Sequence, residues 1–189
     1  KGILLNNTFN FEQANQCFEK ALSMNPNDVE TFINKSISED NLGMFEEAIM
    51  SLVRALEIEP SNEETLFNLG ILYEKKEKYE KAIHYFDKAI ASDPEYLEAW
   101  YELGYCYENS NELEKALESY DKYLEFDPNS FTGWYNKGIV LLRLEQFEKA
   151  INCFELSIAL KDDFSSSWFN CGYSYAKVGR INDALNSYK

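Results

Sequence analysis

The sequence predicts an all-α fold built from repeated pairs of helices. Four prolines recur at intervals of 34 residues, at Pro26, Pro60, Pro94 and Pro128. Between them, apolar residues recur at the i, i+3, i+4, i+7 spacing that is typical of one helical face. The 189 residues include only 8 glycines and 4 prolines, too few for a β-sandwich that turns about every 10 residues.

Other positions share the 34-residue period. Alanine occurs at one of them in all six copies: Ala14, Ala48, Ala82, Ala116, Ala150 and Ala184. A large apolar residue follows four positions later: Phe18, Leu52, Phe86, Tyr120, Phe154 and Tyr188. A small residue recurs elsewhere: Gly2, Ser36, Gly70, Gly104, Gly138 and Gly172. A large apolar residue precedes five of these by four positions: Phe32, Leu66, Trp100, Trp134 and Trp168. These columns, in register with the prolines, indicate a true repeat.

One interval, 97–130, shows why each repeat contains two helices. An apolar face at helical spacing comes first: Trp100, Leu103, Gly104 and Tyr107. A polar break at 109–112 separates it from a second face: Ala116, Tyr120, Tyr123 and Leu124. The segment 127–130 ends the unit, because Pro128 cannot continue a helix and Asn129 or Ser130 can cap the next one.

This pattern, W-x2-L-G-x2-Y…A-x3-F…P over 34 residues, resembles the tetratricopeptide repeat (TPR). The resemblance covers nearly the whole chain. It implies antiparallel helix pairs stacked into a right-handed α-α superhelix (a solenoid), with the first helix of each pair lining a concave groove. We expect a single array over 1–189 with these repeats: 1–28 (partial), 29–62, 63–96, 97–130, 131–164 and 165–189 (partial).

The chain starts within a first helix and stops within a second one, without the polar caps that solenoids use at their ends. We therefore expect a segment of a longer protein. End-to-end self-association through the uncapped termini is a further expectation.

Repeat 29–62 departs most from the pattern. Lys35 and Glu39 stand where other copies have leucine and tyrosine, on the face that should be buried. Two interpretations are open: an i,i+4 ion pair at a loose seam whose charged ends reach water, or a polar notch that binds a partner.

Each first helix also carries a second apolar stripe, about 100° around the helix from the core face. It holds two residues per repeat: Ile33 and Ile37, Phe67 and Ile71, Tyr101 and Tyr105, Tyr135 and Ile139, Phe169 and Tyr173. Packing between neighbouring first helices is one interpretation of the stripe, and an interaction surface is the other.

Beside this stripe runs a polar column: Asn34, Asn68, Glu102, Asn136 and Asn170. A carboxamide both donates and accepts hydrogen bonds, so it can pair with the backbone of an extended peptide. The column is similar to the asparagine ladder of O-linked sugar transferases within the family. The predicted peptide-binding groove therefore contains Asn34, Ile37, Asn68, Ile71, Tyr101, Glu102, Tyr105, Asn136, Ile139, Asn170 and Tyr173.

Charge narrows the class of partner. The formal charge is −15, which disfavours nucleic acids and anionic membrane surfaces. Acids dominate the expected groove: Glu30, Asp40, Glu64, Glu74, Glu98, Glu102 and Glu108, against Lys75, Arg143 and Lys177. One branch of the family binds acidic C-terminal peptides of chaperones through basic groove residues, which are missing here. We expect a protein or peptide partner that is neutral or basic.

Motifs for catalysis and cofactors are missing. The four cysteines show no C-x-x-C spacing and His84 is the only histidine, so the sequence predicts reduced thiols, a cytoplasmic protein and no metal site. We expect no enzyme activity and no cofactor. The favoured function is a protein–protein interaction scaffold. The alternatives are a substrate-targeting arm of a larger enzyme, such as a glycosyltransferase or kinase, and a structural self-associating array.

Overall fold

The computed structural model describes residues 1–189 and contains twelve α-helices and no strand. Six helices open successive pairs: α1 (Gly2–Asn7), α3 (Val29–Asn41), α5 (Glu63–Lys75), α7 (Leu97–Asn109), α9 (Phe131–Arg143) and α11 (Ser165–Lys177). Six close them: α2 (Phe11–Met24), α4 (Phe45–Ile58), α6 (Tyr79–Ser92), α8 (Leu113–Phe126), α10 (Phe147–Leu160) and α12 (Ile181–Ser187). The predicted all-α fold is confirmed.

Residue contacts divide the chain into two compact units. Unit 1 is Lys1–Tyr96 and unit 2 is Leu97–Lys189. Within each unit the two helices of a pair pack on one another, and each pair packs on the next. First helices also touch directly, α3 with α1 and α5 in unit 1, and α9 with α7 and α11 in unit 2. Stacked helix pairs are thus confirmed in each unit, while the repeat boundaries and the single array stay predictions.

The glycines of the small-residue column lie against the aromatic rings that follow the alanines by four positions. A Cβ on Gly70 would come within 2.4 Å of Phe86 Cε1, and one on Gly138 within 2.6 Å of Phe154 Cε1. Both rings are fully buried. Glycine is therefore required because an aromatic ring of the second helix occupies the space of its side chain.

Every first helix ends in the same turn. One residue has a positive φ in each copy: Phe9 (58°), Gly43 (77°), Glu77 (55°), Asn111 (62°), Glu145 (57°) and Gly179 (81°). The next residue donates its backbone N–H to the carbonyl five positions earlier, as Lys78 does to Tyr73 at 2.9 Å. This is the hydrogen bond of a Schellman motif, which closes a helix with one left-handed residue.

The polar pair in α3 lies inside the core of unit 1. Lys35 Nζ is 2.5 Å from Glu39 Oε1, and Ser51 Oγ of α4 donates to Glu39 Oε2 at 2.6 Å. Glu39 is only 2% exposed. The ion pair was predicted correctly, but the expectation that both charged ends reach water is wrong for Glu39, and so is an accessible notch. Ser51 supplies the second donor that lets this carboxylate stay buried.

Candidate functional site

The apolar stripe of the first helices separates into two columns with different surroundings. One column packs on the second helix of its own pair: Ile33, Phe67, Tyr101, Tyr135 and Phe169. The centroid distance is 5.6 Å from Phe67 to Phe86 and 5.9 Å from Tyr101 to Tyr120. Ile33 is buried. Much of this column therefore belongs to the packing of each pair, with the exception of Phe169 in α11, which is 61% exposed.

The other column is more accessible: Ile37, Ile71, Tyr105, Ile139 and Tyr173. Ile37, Tyr105 and Tyr173 are 37%, 38% and 39% exposed, and Ile71 and Ile139 are half-buried. Within each unit, these apolar side chains recur at 34-residue spacing and form an accessible apolar patch on the first helices, the kind of surface that usually serves an interaction.

In unit 1 the two asparagines of the polar column, Asn34 and Asn68, form side-chain hydrogen bonds only within their own helices. Asn34 Nδ2 donates to the Glu30 carbonyl at 2.9 Å, and Asn68 Nδ2 donates to the Glu64 carbonyl at 2.8 Å. Neither side-chain oxygen accepts a hydrogen bond from the protein. Each is therefore an acceptor that a partner can use.

In unit 2 the same column connects neighbouring first helices. Asn136 Nδ2 donates to the Tyr101 hydroxyl at 2.8 Å. Asn170 Nδ2 donates to the Tyr135 hydroxyl at 3.3 Å and to the Ser166 carbonyl at 3.0 Å. Tyrosine and asparagine 35 positions apart thus form a repeated link between helices, a pairing that the two separate columns of the sequence do not reveal.

Glu102 occupies the column's position in α7, where it is half-buried. Its charge contributes to raising the pKa of Tyr101, although burial is the larger cause. Both hydroxyls of the neighbouring pair, Tyr101 and Tyr120, therefore stay protonated at neutral pH.

Ion pairs also join residues 35 positions apart. Lys75 of α5 pairs with Asp40 of α3. Arg143 of α9 lies 3.5 Å from Glu108 Oε1 of α7 and donates to the Glu108 carbonyl at 2.8 Å. Burial raises the pKa of Glu108, and Arg143 opposes that shift. Two of the acids expected to make the groove negative are thus balanced by cations of the next repeat.

Between α3 and α5, unit 1 has a pocket of about 200 Å³, which we call the α3–α5 pocket. Its lining is Ser36, Ile37, Asp40, Asn41, Asn68, Ile71, Leu72 and Lys75. It brings together three residues of the predicted site, namely Ile37, Asn68 and Ile71. Apolar side chains, a carboxamide and an ion pair thus converge in one place, as they do in pockets that fix one ligand orientation.

Reactive or metal-binding groups are not part of this arrangement. No group of three His, Cys, Asp or Glu side chains is placed to hold a metal ion. Burial raises the pKa of Cys153 and of Cys171 to about 11, so both thiols are protonated and weakly nucleophilic at neutral pH. None of the twelve helices combines the length and apolarity needed to cross a membrane.

Family models match most of the chain. Those described as "Tetratricopeptide repeat" match residues 1–28, 67–131 and 119–152, and one described as "TPR repeat" matches residues 41–77. No curated protein matches the sequence.

Solved structures with the same fold include MamA, YrrB and PilF. MamA is 24% identical with a TM-score of 0.81, and the match covers 85% of this chain and 87% of MamA. YrrB, described as "a TPR protein with an unusual peptide-binding site", is 24% identical with a TM-score of 0.80, and the match covers 90% of this chain and 88% of YrrB. PilF of Pseudomonas aeruginosa is 20% identical with a TM-score of 0.85, and the match covers 99% of this chain and 85% of PilF. At these identities the likeness concerns the fold alone.

Proposed function

The chain belongs to the tetratricopeptide repeat family, and on that premise we propose that it is an interaction scaffold that holds an extended peptide at the α3–α5 pocket. The observation that carries the proposal is the joint presence of Asn68, Ile37 and Ile71 in this pocket. TPR folds typically act as non-catalytic interaction modules, and YrrB, which shares the fold, is described by its peptide-binding site.

The chemistry of the pocket suits a peptide backbone. The Asn68 side-chain oxygen accepts nothing from the protein, so a backbone N–H of a bound peptide can donate to it. An apolar side chain next to that N–H would pack on Ile37 and Ile71. A hydrogen bond and a small apolar contact each contribute on the order of 1 kcal/mol, so several repeats must act together for micromolar affinity.

The charge of unit 1 favours a neutral or basic peptide. Glu30 and Glu64 are exposed on the same first helices as the pocket, and Asp40 is balanced by Lys75. An acidic peptide would meet Glu30 and Glu64 with like charge. A basic side chain would instead find uncompensated carboxylates.

A binding experiment with selected peptides tests this function. Short random peptides displayed on phage are selected on the whole chain, and their affinities are measured by fluorescence anisotropy. Asn68→Ala is expected to weaken binding about tenfold, or ~1.4 kcal/mol, because it removes the acceptor. Selected sequences are expected to be neutral or basic.

Asn109→Ala is the matched control. Asn109 is also a first-helix asparagine whose Nδ2 donates four positions back, to the Tyr105 carbonyl at 2.8 Å, but it is exposed and lies outside the pocket. Equal affinities for both variants, with helicity unchanged by circular dichroism, would contradict binding at Asn68. Selection of acidic peptides would contradict the charge argument.

A further inference from the structure

Unit 2 has a second concavity that involves closing helices as well as a first helix. It lies among α8, α9 and α10, has a volume of about 380 Å³, and we call it the α8–α9–α10 pocket. The residues that matter for its chemistry are Leu117, Trp134, Lys137, Leu141, Lys149 and Leu156. None of them belongs to the predicted groove, so any ligand here would be additional to the peptide proposed above.

The wall of this pocket is apolar and held in place. Leu117 and Leu141 contribute aliphatic surface, and Trp134 adds an aromatic face. The Trp134 indole Nε1 donates to the Pro128 carbonyl at 2.9 Å, which fixes the ring. A preformed wall lowers the entropy cost of binding an apolar side chain.

One residue of the pocket departs from the repeat pattern, and a second stands at a variable position. Leu156 is 43% exposed, whereas the equivalent position in the other copies is cationic: Lys20, Arg54, Lys88 and Lys122. Lys137 stands at a position that varies along the chain, where Lys1 and Lys35 are also lysine and Leu69, Leu103 and Cys171 are apolar. The repeat fold therefore does not require either residue, and together they place an apolar rim and a cation at one site.

The rim of the pocket is positive within an acidic chain. Lys137 pairs with Asp121 Oδ1 at 2.5 Å, and its Nζ lies 5.2 Å from the centre of the Trp134 ring. Lys149 Nζ donates to Gln146 Oε1 at 2.8 Å, and no carboxylate of the chain pairs with it. One exposed ammonium group thus has no internal countercharge.

We propose that the α8–α9–α10 pocket binds a protein segment in which a bulky apolar side chain adjoins a carboxylate. The apolar side chain packs between Trp134 and Leu156, and the carboxylate pairs with Lys149. This partner differs in charge from the neutral or basic peptide of the α3–α5 pocket. The two sites give the chain one surface for each kind of segment.

NMR titration of the whole ¹⁵N-labelled chain tests the proposal. The probe is acetyl-Ala-Leu-Glu-Ala-amide, and the comparison is acetyl-Ala-Leu-Gln-Ala-amide. We expect the glutamate peptide to shift the Trp134 indole signal with a Kd of about 1 mM, as few contacts allow. The glutamine peptide is expected to bind at least about fivefold more weakly, because it lacks the charge.

Two variants and one control complete the test. Lys149→Gln removes the cation, and Leu156→Ser removes the apolar rim without adding a charge; each is expected to weaken glutamate-peptide binding about fivefold or more. Lys115 is the equivalent of Lys149 one repeat earlier, so Lys115→Gln is the control and should leave the affinity for the glutamate peptide unchanged. Equal binding of both peptides, no shift of the Trp134 signal, or undiminished binding to Leu156→Ser would overturn the proposal. Asn68→Ala should leave these shifts intact, which keeps this test separate from that of the α3–α5 pocket.

Discussion

The two units use the same asparagine column for different purposes. In unit 2, Asn136 donates to the Tyr101 hydroxyl of the preceding first helix. In unit 1 the residue 35 positions before Asn68 is Ile33, which has no hydroxyl, and Asn68 bonds to its own helix instead. A consensus residue is thus a structural link in one unit and an available recognition group in the other, and its neighbour one repeat away decides which.

The buried ion pair sets the units apart most strongly. Glu39 lies in the core of unit 1, and the same position in the three repeats of unit 2 holds Tyr107, Leu141 and Tyr175. Glu39→Ala leaves Lys35 and Ser51 without their partner, so we expect a loss of about 3 kcal/mol in the free energy of unfolding. Urea denaturation followed by circular dichroism measures it.

A double substitution provides the control for Glu39. Lys35→Leu with Glu39→Tyr introduces the residue types found at the equivalent positions of the next repeat, Leu69 and Tyr73. We expect this variant to match the wild type or exceed it, because it removes both charges from the core together. If Glu39→Ala is as stable as the wild type, the ion pair contributes nothing to unit 1.

The asparagine difference itself predicts a smaller effect. Asn136→Ala removes the hydrogen bond to Tyr101 and should cost about 1 kcal/mol of stability. Asn68→Ala removes only a bond within its helix and should stay within about 0.5 kcal/mol of the wild type. Tyr101→Phe, measured together with Asn136→Ala in a double-mutant cycle, isolates the hydrogen bond between them. If Asn68→Ala and Asn136→Ala lower stability equally, the asparagine column does not play different roles in the two units.

The two units share the turn that ends each first helix at a residue with positive φ. Substitutions at this residue should have the smallest effect on stability. Glu77 in unit 1 and Glu145 in unit 2 both have a φ near 56°, where glycine is less strained than other residues. Glu77→Gly and Glu145→Gly should therefore each raise stability by up to about 1 kcal/mol. Thermal denaturation of each single variant measures this, with Gly43→Ala as the converse change, expected to lower stability. Opposite signs for the two glutamates would show that the turn depends on its unit.

Several features of the site could not be read from the sequence. The apolar stripe was found from periodicity, but its division into a packed column with Phe67 and an accessible column with Ile71 required the rings of the second helices to be in place. The pairing of Lys75 with Asp40 was missed for a similar reason. Residues 35 positions apart become neighbours only when two helix pairs stack.

The sequence by itself determined the 34-residue repeat, the two helices in each copy and the column of small residues. Helical spacing and residue size are local properties that can be counted along the chain. The tertiary structure alone decided which asparagines are free, which acids are balanced and where Leu156 meets Trp134, Lys137 and Lys149. Those outcomes depend on distances between side chains of different helices, and packing sets these distances.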